Sequence, residues 1–318
     1  MLKSGFAFIA SHIRIEGSLP VEIAPGHVLR RARDTEVALI REQLRRNAPG
    51  PYYQWVDYEA DVHPEVQGAS TTFRVEPLSK EGWRYWVMAF EPNNHIVHEI
   101  EMLGLLVPID VEFAFQVYFS EADQTGEVVG YVTTPLHIVE RYSDFGLATS
   151  RAATLSTRQL SSIRELLTLY KDIDSRFMFV RRAIETFAAL RRVSMRSELN
   201  VVGLFSIIES LITHAPRLTE TLDSINHQIT NKIVLLRKRY SRPVNVANYF
   251  ETAGEDKIWK KLYSYRSSIA HGNAVEFSSD FRILRDHGTV VLFLRDNVKE
   301  LLTLALHEPE FLFDLRSC

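Results

Sequence analysis

Cysteine is almost missing from this chain: of its 318 residues only Cys318 carries a thiol. An internal disulfide and any multi-thiolate metal site are therefore excluded, and redox chemistry is not expected. Long apolar runs are missing too. The stretch from Val201 to Phe205 soon meets Glu209, far short of the roughly 20 residues that a membrane-spanning helix needs. No membrane association is expected. The opening residues, Met1 to Phe6, have no long apolar segment with a small-residue cleavage site, so no secretory signal is expected and the location reads as cytoplasmic. G-x-x-x-x-G-K-[ST], G-x-G-x-x-G and G-x-S-x-G do not occur, which weighs against the common nucleotide and hydrolase sites. His95 and His98, with Glu99 and Glu101, have part of a metal-binding spacing, but a third ligand is not evident. Neither a metal nor a cofactor is expected.

What is present is uneven charge. Residues 1–150 hold 12 Lys and Arg against 21 Asp and Glu, a formal −9, whereas residues 151–318 hold 25 against 19, a formal +6. A basic half allows a polyanion to meet one domain selectively through local clusters of cations. Arg181 with Arg182, Arg191 and Arg192 with Arg196, and the run Arg237, Lys238, Arg239 are the clusters available; solvated helix faces are the plain alternative for each.

The first half reads as an α+β domain over residues 1–150. A strand is expected over 6–15 and a helix over 27–46, stopped by Pro49 and Pro51. Aromatic and β-branched stretches at 52–59, 71–76 and 83–90 suit sheet. A short helix follows over 95–106. Phe113, Phe115, Val117 and Phe119 alternate with less apolar neighbours, the clearest period of two in the chain, and 128–133 adds a strand. Trp83, Tyr85, Trp86 and Phe90 suit either core packing or the stacking of bases, with packing the better fit. Around 143–157 these residue types thin out in favour of Gly, Ser, Thr and Ala, as at a domain boundary. Residues 151–318 then read as an all-α bundle, with helices over 160–170, 177–192, 199–212, 227–239, 256–270 and 289–306. The segment 199–212 is apolar almost all round, so it is expected to be buried on most sides.

Two segments carry a more specific signal. One is GLFSIIESLI at residues 203–212, an apolar helix holding Glu209; the other is LYSYRSSIAHG at 262–272. Ile258, Leu262, Tyr265 and Ile269 lie at helical spacing and should face the core, while Gly272 is the residue type found just past a helix C-terminus. His271 then stands in the last turn, where the helix dipole favours an imidazolium and proton transfer has a suitable group. Arg266 lies five positions earlier, which on an ideal helix is about 140° around and about 7.5 Å along the axis.

The pair of segments resembles the HEPN family, in its ApeA-like branch. The family pattern is a glutamate in an apolar helix, then an Arg followed by a polar residue, and a His a few positions on near a helix end. Glu209, Arg266, Ser267 and His271 match it, over a resemblance that spans about residues 155–310. It implies a HEPN-like helical bundle that dimerises, with Arg266 and His271 of two copies lining a cleft for single-stranded RNA. The implied activity is a metal-independent endoribonuclease: the 2′-hydroxyl attacks the adjacent phosphorus, His271 moves the proton and Arg266 offsets phosphoryl charge. Glu209 would orient Arg266, and Ser267 and Asn273 would donate to phosphate. The implied setting is antiphage or stress defence, with the N-terminal domain sensing a trigger or restraining the toxin; any regulatory partner is unknown. The residues also admit a plainer account, in which Arg266 merely neutralises a carboxylate within an apolar helix, His271 caps a helix, and the domain is a non-catalytic dimerisation or nucleotide- or RNA-binding module.

Overall fold

The structure is a computed structural model and describes residues 4–47, 56–67, 70–91, 96–120, 127–133, 153–215, 224–250 and 254–317. It divides into two compact units, Met1–Leu167 and Thr168–Cys318. The first is built on an antiparallel sheet and the second is helical.

Ten strands are described in the first unit: β1 Gly5–Ile9, β2 Ile13–Glu16, β3 Val21–Ala24, β4 His27–Arg31, β5 Ala60–Gln67, β6 Ser70–Pro77, β7 Trp86–Phe90, β8 Phe113–Phe119, β9 Val128–Thr133 and β10 Ala153–Ser156. Six of them form one antiparallel sheet in the order β3-β4-β7-β1-β8-β9. β5 and β6 make a separate hairpin, and β10 runs parallel to β2. Its helices are α1 Asp34–Asn47, a single turn α2 Val56–Glu59, and α3 Val97–Gly104. β1 and β7 are buried at every position, so both faces of the sheet are covered at its centre. Phe6, Phe8, Val87, Phe115 and Val117 share a core with Val37, Ile40 and Leu44 of α1. Gly5 is required by close approach: a Cβ there would strike the Val117 carbonyl and the Phe90 ring.

Several expectations for this half need correction. The strand expected over 6–15 is two strands in different sheets. Ser11 lies at the break, its Oγ donating to the Asp110 carbonyl at 2.5 Å and accepting from the Glu112 N–H at 3.0 Å. The helix expected from residue 27 begins only at Asp34. Residues 27–31 instead alternate in burial as β4, and the Glu36 carboxylate accepts from the Arg33 N–H at 2.7 Å, which sets the helix start. Residues 56–59 form a helical turn rather than strand; 52–55, Pro49 and Pro51 lie outside the described residues, as does the expected boundary near 150. The hairpin strand β5 and the short strands β3 and β10 were not anticipated. Tyr85, Trp86 and Phe90 are each at most 2% exposed, so they pack the core and present no stacking surface.

The helices that follow are α4 Thr157–Lys171, α5 Met178–Leu190, α6 Leu199–Ile212, α7 Ile225–Leu236, α8 Glu255–Ala270, α9 His287–His307 and α10 Pro309–Ser317. The division between the units falls inside α4, so residues 157–167 belong to the sheet unit, unlike the helical opening expected of the second domain. In the second unit α6 is central and packs against α5, α7, α8, α9 and α10. Val201, Leu204, Phe205, Ile207, Ile208, Leu211 and Ile212 are all at most 1% exposed, as a helix apolar on nearly all sides must be. The last turn of α6 is tied from outside. Lys232 Nζ donates to the Ile212 carbonyl at 2.9 Å, and Gln228 exchanges hydrogen bonds with the His214 backbone at 3.0 and 3.3 Å. Among the described residues no helix is long and apolar enough to cross a membrane.

Candidate active site on the Arg266 helix

Glu209 opens the last turn of α6, and its carbonyl accepts from both the Thr213 N–H at 3.0 Å and the Thr213 hydroxyl at 2.8 Å. Arg266 sits near the end of α8. Ile258, Trp259, Leu262 and Tyr265 of α8 are buried, whereas Ile269, expected in the core, is only half-buried. Trp259 is fully enclosed and packs near Phe293, so it offers no base platform. The two helices bring together residues 57 positions apart: Arg266 Nη2 donates to Glu209 Oε2 at 3.2 Å and lies 3.2 Å from Oε1. The side chains are 24% and 21% exposed, so the pair is neither dry nor freely solvated.

Burial pushes the Glu209 carboxyl above the ordinary carboxylate range, and the Arg266 charge and hydrogen bond hold part of that rise back. A raised carboxyl binds its proton more tightly folded than unfolded, so its contribution to stability falls as pH climbs from the unfolded value through the folded one. Glu209→Gln should remove that fall. The variant's stability relative to wild type, measured by urea melts, is expected to improve steadily as pH rises from about 4 to 7. An unchanged difference across that range would mean that the carboxyl is not held above its ordinary value.

His271 caps α8 with φ −98° and ψ 2°, and Gly272 follows with φ +68°. The Asn273 N–H donates to the Ser268 carbonyl at 2.9 Å and the Gly272 N–H to the Ile269 carbonyl at 3.0 Å, the paired bonds of a Schellman ending. Glycine is needed at 272 because a side chain there must adopt a left-handed backbone. Gly272→Ala should cost roughly 1 to 2 kcal/mol in thermal or chemical melts. The ending leaves the His271 side chain exposed, and no side-chain hydrogen bond or ion pair joins it to Arg266 or Glu209 among the described residues. Arg266 and Glu209 are thus brought together, while His271 stands apart on the same helix end. Ser267 is half-buried and its carbonyl accepts from the His271 N–H at 3.1 Å; Asn273 is exposed.

Two neighbours of the motif had no signal in the R-x4-H spacing. Tyr263, one turn before Arg266, has its ring centroid 5.9 Å from the guanidinium carbon. His287, the first residue of α9, lies with Nδ1 2.8 Å from the Tyr265 hydroxyl and Nε2 3.1 Å from the Met195 carbonyl. A carbonyl can only accept, so Nε2 carries a proton and donates to Met195. The helical spacing of apolar residues that marks Tyr265 as core says nothing about this histidine 22 positions away.

The basic clusters divide into structural and solvent-facing members. Arg181 donates to the Tyr170 carbonyl at 2.9 Å, Arg237 pairs with Glu255, and Arg239 reaches Glu308 at 2.5 Å. Arg182, Arg192, Arg196 and Lys238 are exposed. His95 lies outside the described residues, and His98 Nδ1 is 3.6 Å from Glu101 Oε2. Among the described residues no three metal-ligating side chains cluster.

These features define an antiparallel-sheet unit followed by a helical unit in which a half-buried Glu-Arg pair and an exposed histidine occupy neighbouring turns. The chain matches no protein-family model, no curated protein and no solved structure.

Proposed function

We propose that this protein is a metal-independent endoribonuclease of the HEPN type, cleaving single-stranded RNA in a cleft shared by two copies of the helical unit. The observation that carries the reading is the placement of Arg266 and His271. Arg266 is oriented by Glu209 at 3.2 Å, and His271 is exposed and uncommitted to either at the glycine-terminated end of the same helix. An oriented guanidinium is suited to a phosphoryl oxygen, and an accessible imidazole is suited to proton transfer.

In this mechanism the RNA 2′-hydroxyl attacks the adjacent phosphorus and gives its proton to a base, the bond to the 5′-oxygen breaks, and that oxygen receives a proton. The products are a 2′,3′-cyclic phosphate and a 5′-hydroxyl. His271 serves one of the two proton transfers and Arg266 stabilises the charge gathering on the non-bridging oxygens. Ser267 and Asn273 serve as further donors to phosphate in this reading. Pairing with a second copy supplies what one helix lacks, since five positions on an ideal helix separate Arg266 and His271 by about 140°. A HEPN-like bundle of this kind fits a cytoplasmic toxin of antiphage or stress defence, with the sheet unit as its sensor or restraint.

The test is incubation of the purified full chain with end-labelled single-stranded RNA in EDTA, followed by identification of the product ends. Cyclic-phosphate ends support the reading; intact RNA under conditions where the chain is folded and dimeric sinks it. One observation favours a non-catalytic module instead: Arg266 is already paired with a half-buried carboxylate, as an internal ion pair would be. Growth inhibition on overexpression that His271→Ala relieves would exclude that second reading.

A further inference from the structure

Four side chains meet where α6 packs against α8. Phe205 and Glu209 lie one turn apart on α6, and Tyr263 and Arg266 lie three apart on α8, so each pair shares a helix face. Phe205 meets the Tyr263 ring edge-on, with centroids 6.0 Å apart and planes at 80°. Glu209 meets Arg266 at 3.2 Å, and the Arg266 guanidinium lies beside the Tyr263 ring. An aromatic pair and an ion pair therefore form neighbouring rungs between the two helices. Tyr263 is held at its ring by Phe205 and is only half-buried.

Polar atoms at these rungs are under-used. Arg266 Nε and Glu209 Oε1 are buried without a hydrogen-bond partner among the described residues, although Oε1 is within ion-pair range of Arg266 Nη2. The Tyr263 hydroxyl likewise makes no hydrogen bond to a described residue. Burial and the Glu209 charge raise the phenol above its ordinary value, so it remains a donor throughout the neutral range. Glu209 cancels much of the charge that Arg266 would offer to an anion, so a phosphate bound here needs a second donor. A phenol supplies one without another charge to desolvate.

We propose that Tyr263 is a substrate-binding residue of this site, its hydroxyl donating a hydrogen bond to the same RNA phosphate that Arg266 engages. The inference rests on the ribonuclease reading of the Arg266 site. It assigns Tyr263 a contact that neither the R-x4-H spacing nor the glutamate helix contains, and it separates the roles of the phenol: the ring packs on Phe205 and the oxygen faces substrate.

Tyr263→Phe removes that oxygen and keeps the ring. With the full-length chain, two quantities are measured: kcat/KM for single-stranded RNA, and the affinity for a 2′-O-methyl oligoribonucleotide, which has the phosphates but no attacking hydroxyl. Both are expected to fall about 10- to 100-fold, the loss of one hydrogen bond to a charged group, at an unchanged melting temperature. Wild-type values for both in Tyr263→Phe would overturn the inference and leave the ribonuclease reading standing. A parallel drop in melting temperature would overturn it too, by making the hydroxyl structural. If the wild type binds the oligonucleotide without cleaving RNA and Tyr263→Phe binds more weakly, the ribonuclease reading falls and the phosphate contact survives. If the wild type neither binds nor cleaves, both fall.

Discussion

Replacing His271 with alanine should lower RNA cleavage by roughly 10² to 10⁴, the usual contribution of one acid-base group. Stability should stay within about 0.5 kcal/mol of wild type, because the change falls on an exposed side chain. The expectation of a clean separation comes from how α8 ends. The Schellman bonds run from the Gly272 and Asn273 N–H groups to the Ile269 and Ser268 carbonyls, and His271 adds only a backbone bond, from its N–H to the Ser267 carbonyl. Nothing that holds the helix end is lost with the imidazole. Cleavage of end-labelled RNA in EDTA and a urea melt of the same preparations measure the two effects. A variant that cleaves as fast as wild type would remove His271 from the chemistry; one that unfolds would make it a structural cap instead.

Arg266→Ala should damage both activity and fold. Loss of the group that offsets phosphoryl charge is expected to slow cleavage roughly 10²- to 10³-fold, as removal of a preorganised donor does elsewhere. It also strands Glu209 in a half-buried position. The resulting destabilisation at neutral pH should be about 1 to 3 kcal/mol, less than in a dry interior because about a fifth of each side chain still meets water. The pH dependence gives a second check. Arg266 holds back the rise that burial imposes on Glu209, so without it the carboxyl rises further. The stability lost on raising the pH should therefore be greater in Arg266→Ala than in wild type, with the two closest at acid pH where Glu209 is protonated in both. Arg266→Lys should recover part of the stability but little of the rate, since an ammonium lacks the planar fork of donors. An Arg266→Lys variant that cleaves as fast as wild type would reduce the arginine to a point charge.

The helical unit was more legible in the sequence than the sheet unit. The segment 199–212 forms a helix with those limits because its apolar positions are nearly continuous and no proline interrupts them. The end of α8 was legible for a different reason: Gly272 stops it by backbone geometry, and that places His271 at the cap in any fold that contains the helix. By contrast, α10 carried no distinct signal, as Leu312 is the buried residue of a short helix whose other side chains are at least half-open. In the first half, β4 was absorbed into the following helix. Leu29, Val37, Ile40 and Leu44 lie near one face of a continuous helix, a pattern that hides the strand period of residues 27–31, and pairing with β7 decides between them. The break between β1 and β2 was equally hidden, because Ser11 takes its partners from residues 99 to 101 positions away.

The sequence by itself determined which residue types could do chemistry and where the helices carrying them end, because apolar period and glycine termination are local properties of the chain. Only the tertiary structure decided that Glu209 meets Arg266, that Tyr263 stands beside them on Phe205, and that His271 is left exposed. The first two depend on how two helices more than fifty residues apart are packed. A contact of that kind is set by side-chain shape and burial across the core, which no spacing along a single segment encodes.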